Sequence, residues 1–103
     1  MNTICMEKIN KNMVKVSRLH AVPGDNSGEV DLIWQPVKEA GSYIVQVSAS
    51  PVNEKSWKHA DIVTRSKYTI TGLKCGRKYN FRIAAITSKG QQCWSEPVSQ
   101  TTE

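Results

Sequence analysis

The chain is predicted to fold as an all-β, seven-stranded antiparallel β-sandwich. Three observations carry that prediction. Apolar and polar residues alternate over short stretches with a period of two, the repeat of a half-buried strand. Clusters of Gly, Pro, Asn and Asp break these stretches every 8 to 14 positions, the spacing of strands in a sandwich. The chain also lacks the long crossovers that parallel strands require, so successive strands must pair antiparallel. At 103 residues it is one domain, long enough to bury a core without disulfides or metal.

Residues 1–13 show no period of two and are expected to form a flexible or partly helical N-terminal tail, since a helix as short as "MEKINKN" is marginal in water. The domain is expected over residues 14–103. "VKVSRLHAV" is the first strand, and "PGDNSGE" supplies a turn with residues suited to positive φ. "VDLIWQ" places Val30, Leu32 and Trp34 on one face and Ile33 on the other, and Pro36, which has no N–H to donate, ends it. "SYIVQVSAS" turns Tyr43, Val45 and Val47 inward against Ile44, Gln46 and Ser48. Beyond "PVNEK", a short strand in "SWKHADIV" is anchored by Trp57.

"KYTI" points Tyr68 and Ile70 inward. "KYNFRIAAI" does the same with Tyr79, Phe81, Ile83 and Ala85, leaving Asn80, Arg82 and Ala84 outside. After the polar loop "TSKGQQ", "CWSEPVSQTT" is the last strand, with Pro97 near its start as suits an edge.

Composition excludes several classes of function. The net charge of +5 comes from 14 Lys and Arg against 9 Asp and Glu, and the basic residues are scattered apart from Lys74, Arg77 and Lys78. Nucleic-acid binding would call for a basic stripe on one face, so none is expected. No apolar run approaches the roughly 18 residues of a membrane span. The opening residues lack the apolar block of a secretory signal, so a cytoplasmic location is expected if Met1 is the native start.

Cys5, Cys75 and Cys93 are odd in number and have no CxxC spacing, which fits neither a disulfide framework nor a zinc site. Cys75 and Cys93 lie at opposite ends of a strand of about nine residues rising about 3.3 Å each. That separation is far beyond the roughly 7 Å between Cα atoms that a disulfide tolerates.

His20 and His59 belong to no ligand motif, and "GDNSGE" is explained by turn formation rather than by calcium. There is no GxSxG, no HExxH and no glycine-rich loop opening a helix. Catalytic residues, metal and cofactors are therefore all expected to be absent.

Three segments carry a family resemblance. Trp34-Gln35-Pro36 closes the second strand, Tyr43-x-Val45-x-Val47 lies in the third, and "TITGLKCGRKYNFRIAA" joins the fifth to the sixth. Together they resemble the fibronectin type III domain, in a single-domain, bacterial-like copy, over roughly residues 14–101. The resemblance implies an immunoglobulin-like topology and a tyrosine corner, with Leu73 and Tyr79 six apart around Gly76. In such a corner the ring plugs one end of the sandwich and its hydroxyl bonds upstream backbone. Leu73 packs beneath the turn, and Gly76 supplies the reversal. Trp34, Tyr43, Leu73, Gly76, Tyr79 and Trp94 are thus expected to be structural.

"WSEP" resembles half of the doubled Trp-Ser motif of cytokine receptors, a branch of the same superfamily. With the outward Arg82 it allows one cation–π rung at Trp94. The doubled motif is missing, and "TSKGQQ" holds no Arg-Gly-Asp, so neither receptor function nor adhesion by that route follows.

Fold alone does not determine function. The expected role is a non-catalytic protein-interaction module, appended to a longer protein. The alternatives are a structural spacer without a specific ligand and an accessory domain of a carbohydrate-active protein. The expected binding residues are Ile44, Gln46, Asn80, Arg82 and Ala84, and the loops at Pro36–Gly41 and Thr87–Gln92 are the other surface considered. The partner is expected to be another protein, with no nucleic acid and no membrane, and the chain is expected to be a monomer.

Overall fold

The computed structural model describes residues 14–103; the expectation for residues 1–13, and Cys5 with it, lies outside them. In chain order the strands are β1 (His20–Pro23), β2 (Val30–Ile33), β3 (Ser42–Ala49), β4 (Lys58–Val63), β5 (Lys67–Ile70), β6 (Lys78–Thr87), β7 (Gly90–Trp94) and β8 (Val98–Thr101). One sheet has the order β1-β2-β5 and the other β4-β3-β6-β7, with β8 also paired to β6. Every ladder between named strands is antiparallel. The class is therefore the all-β sandwich, with eight strands among the described residues.

The extra strand arises because the last predicted strand is divided. Ser95 donates its N–H to the Ile83 carbonyl at 2.8 Å, and its Oγ accepts from the Ile83 N–H at 3.0 Å. These bonds hold the chain to β6 where the regular ladder breaks, and Pro97 has no N–H with which to continue it. β7 also begins earlier than expected, since Thr87 pairs with Gly90 across a tight hairpin.

The first predicted strand is shortened as well. His20–Pro23 pairs with β2, whereas Lys15 makes a parallel bridge to Cys93 on the other sheet. Between them Arg18 adopts φ 58°, and the chain passes from one sheet to the other with Val16 and Leu19 buried.

The core follows from period two. Phe81, Ile83 and Ala85 of β6 face Val30 and Leu32 of β2, all of them fully buried, with Val45 and Ile70 in the same cluster. The Trp34 ring meets Tyr43 edge-on, with centroids 5.3 Å apart and planes at 71°, a favoured aromatic geometry. Tyr43 Oη accepts the Val37 N–H at 2.9 Å, fastening the β2–β3 loop to the core.

At the opposite end Tyr79 Oη accepts the Lys74 N–H at 3.0 Å, and Leu73 is half-buried against the core. The Leu73 N–H in turn donates to Gly28 O at 3.1 Å. Gly28 has φ +75°, and a Cβ there would lie 2.5 Å from the Leu73 carbonyl oxygen. Gly76 has φ +76° with open space around it.

The two glycines allow a controlled comparison. Gly76→Ala should cost about 1–2 kcal/mol, the left-handed penalty alone. Gly28→Ala adds a backbone clash and should cost clearly more, so equal losses in urea denaturation would show that the close approach at Gly28 is unimportant.

On the β4–β5 side of the sandwich the Tyr68 hydroxyl is held above its ordinary pKa. Burial is the first cause, followed by the charge of Asp61 and a hydrogen bond to it. The fold thus favours the protonated phenol. The associated stability is complete below about pH 10, the unfolded value, and is lost as pH rises through the folded one. Tyr68→Phe should therefore lose less stability than the native chain between pH 8 and 11, measured by urea unfolding at each pH. Identical slopes would exclude this linkage.

Candidate functional site

The outer face of the larger sheet is set by its register. Antiparallel partners share a face, and β6 buries Phe81, Ile83 and Ala85, so Lys78, Asn80, Arg82 and Ala84 point the other way. Their partners on β3 are Ile44 opposite Ala84, Gln46 opposite Arg82 and Ser48 opposite Asn80. Ile44 also pairs with Ile62 of β4, and Ala84 with Trp94 of β7. Ile62, Ile44, Ala84 and Trp94 thus form one continuous apolar row across the four strands. Ile62 is 53% exposed, Ala84 is 0% exposed, and Ile44 and Trp94 lie between.

Beside this row the Arg82 guanidinium lies between two indoles. Its Cζ is 4.5 Å from the Trp57 ring centroid and 4.2 Å from that of Trp94. Its Nε donates to Gln46 Oε1 at 2.8 Å, which fixes the plane of the fork. The indoles approach from opposite sides of β6, Trp57 from just before the edge strand β4 and Trp94 from β7.

Trp57 is carried by a pinned loop. Buried Ser48 donates from Oγ to Ser56 Oγ at 2.7 Å, and Ser56 Oγ also accepts the Asn53 N–H at 2.9 Å. At the same end of the face Asn80, the partner of Ser48, donates from Nδ2 to Ser50 Oγ at 2.7 Å.

Among the expected binding residues, Ile44, Gln46, Asn80 and Arg82 share this half-buried outer face. Ala84 lies on it too, but as a correction it offers no contact surface. It is fully buried, because its small side chain sits in register between the larger Ile44 and Trp94. Trp57 is also corrected. It precedes β4 rather than anchoring a strand from within, and it supplies the second ring on Arg82. No local pattern marks it, because its partner is brought near by cross-strand register.

The loops offer less adaptable material. Gln92 is buried and accepts the Val14 N–H at 3.2 Å, while its amide donates to Thr87 Oγ1 at 3.2 Å and Gly90 O at 3.1 Å, closing the β6–β7 turn. The Gly41 N–H donates to Ile86 O at 2.9 Å, tying the β2–β3 loop to β6.

Among the described residues no cluster of His, Cys, Asp or Glu could hold a metal ion, and no disulfide joins Cys75 to Cys93. No helix among them is long and apolar enough to cross a membrane.

The profile of the fibronectin type III domain matches residues 14–101. A titin homolog from Caenorhabditis elegans is 34% identical over a 77-residue alignment that covers 72% of this chain and, rounded, 0% of that protein. The chain therefore spans a minute share of the length of that curated relative. Among solved structures, an Fn3-like protein from Clostridium thermocellum superposes with a TM-score of 0.77 at 22% identity, covering 88% of this chain and 95% of that one. The twitchin kinase region from C. elegans gives a TM-score of 0.66 at 25% identity, over 76% of this chain and 14% of that one.

If the stack is a coupled unit, Arg82→Met and Trp57→Ala should be non-additive. A double-mutant cycle is expected to return a coupling of about 0.5–2 kcal/mol. Additive losses in urea denaturation would reduce the stack to coincidental proximity.

Proposed function

The chain belongs to the fibronectin type III family, whose domains are generally non-catalytic modules within larger proteins, and from that premise we propose that it is a protein-interaction module appended to a longer chain. Its role is binding, without catalysis or cofactor, and its partner is another protein. One observation carries this reading: on the outer face of the larger sheet a row of apolar residues, Ile62, Ile44 and Trp94 with buried Ala84 between the last two, lies beside the Trp57–Arg82–Trp94 stack. An apolar row beside a planar cation resembles the core of a recognition surface, where aromatic side chains and arginine are enriched. Arg82, held between the two indoles and bonded to Gln46, would lose little side-chain entropy on binding.

The test is a pull-down from source-cell lysate with the folded chain as bait, compared with Ile44→Glu after thermal unfolding has shown that both are folded. A partner retained by the native chain and lost by the variant is the expected result. Retention by both moves the site to the loops, and no partner on either favours a structural spacer.

A further inference from the structure

The free edges of the two sheets are not alike. The edge of β1 carries Pro23, which has no N–H to offer. On β4 the Ile62 N–H is taken by the Asp61 carboxylate at 2.7 Å. On β7 the Cys93 N–H donates to Val14 O at 3.2 Å, and on β8 the Gln100 side chain donates to Thr101 O at 3.0 Å. β5, the remaining edge strand, has no such cover. The Trp34 N–H donates to Ser66 O at 3.0 Å, and antiparallel bonding alternates from there, so Tyr68 and Ile70 turn their backbone groups to β2. The N–H and C=O groups of Lys67 and Thr69 therefore face away from the sheet, and among the described residues none of them has a hydrogen-bond partner.

A cleft of about 420 Å³ opens beside the same strand, walled by Ile33, Arg65, Lys67 and Thr69 together with Asp31. Ile33 is 49% exposed and gives the cleft an apolar floor. Charge is unevenly placed along it. Exposed Arg65 and Lys67 stand toward one end, with no ion pair among the described residues. Asp31 stands toward the other, where it pairs with Thr69 and accepts its hydroxyl at 2.7 Å. Asp61, which approaches β5 from the other sheet, is engaged by the Tyr68 hydroxyl and by the Ile62 N–H.

We propose that β5 is a strand-addition site, where an extended segment of another protein pairs with Lys67 and Thr69 and becomes a further strand of the smaller sheet. Backbone donors and acceptors alternating at strand spacing recognise an extended backbone, and the side chains beside them select its sequence. The segment carries a carboxylate where it faces Lys67 and Arg65, and a β-branched residue where it faces Thr69, since opposite charges and β-branched pairs favour a ladder. Asp31 bars a second carboxylate from the Thr69 end. A second copy of this chain is disfavoured, because pairing β5 with β5 would bring Arg65 and Lys67 of both copies onto one short ladder. The site lies on the other sheet from the Ile62–Trp94 row and does not depend on it.

Selection of a phage-displayed library of random peptides on the full chain, followed by binding and amide exchange measurements with the enriched peptides, tests the site. The expected peptides interleave Val, Ile or Thr with Asp or Glu, and they slow exchange of the Lys67 and Thr69 amides severalfold while leaving β4 unchanged. Thr69→Pro removes an N–H that faces away from the sheet and should weaken binding about tenfold. Thr69→Val keeps that N–H, loses only the hydroxyl, and should bind as the native chain does. Lys67→Glu should weaken binding severalfold, and it decides the question alongside amide exchange if Thr69→Pro does not fold. An empty selection, enrichment of basic peptides, binding that survives Thr69→Pro, or unprotected Lys67 and Thr69 amides would each overturn the proposal. So would self-association of the native chain that Thr69→Pro abolishes, which would make the occupant a second copy. Peptides lost on Ile44→Glu but kept by Thr69→Pro would overturn it too, while supporting the apolar row of the larger sheet.

Discussion

The register of β6 is the constraint on which the rest of the larger sheet depends. Its ten residues pair with β3 along one edge and with β7 and β8 along the other. Side chains alternate strictly, so a slip of one residue would carry Arg82 into the core and Phe81 and Ile83 to water. Burying an unpaired guanidinium is costly enough to forbid that arrangement. Core and outer face are therefore specified together: the residues that fill the sandwich also aim Arg82 at its two indoles.

Arginine suits that position in a way lysine would not. Its planar cation can lie against ring faces while an edge N–H is given to an acceptor, here Gln46. Each indole excludes water from the cation, and the attraction of the ring quadrupole grows as water leaves. The stack also links parts of the chain that have no backbone pairing with one another. Trp57 comes from the margin of the sheet and Trp94 from the end of β7, and each is held by its own hydrogen-bonded support, at Ser56 and Ser95.

Much of this was legible in the sequence because strand faces are written at a period of two. Val30 and Leu32 are buried on one face of β2 with Trp34 just beyond its end, and Tyr43 and Val45 are buried on one face of β3. The family resemblance follows the same residues. Features set by register or by hydrogen bonding between distant segments were harder to read. The division between β7 and β8 depends on Ser95 finding Ile83, and the crossing near Arg18 depends on Cys93 and β2 competing for one continuous apolar pattern. Ala84 looked exposed because its parity is outward, yet its burial is decided by the size of its neighbours on two other strands. The sequence marks Trp57 as an anchor, but its stacking partner lies 25 positions away and is invisible to any local window.

Thr102 offers a different consequence. It is buried, its hydroxyl donates to the Lys74 carbonyl, and its N–H donates to Arg77 O at 2.9 Å. Its own carbonyl accepts the Gly76 N–H at 3.0 Å. A strand margin normally frays first, opening at almost no free-energy cost. Here the segment after β8 is knotted into the same turn that Tyr79 closes, so it can open only by taking the corner with it. Its backbone amides should exchange with solvent at the rate of the corner rather than that of a loose margin, and a force applied along the segment would be borne by the turn before it reached the sheet.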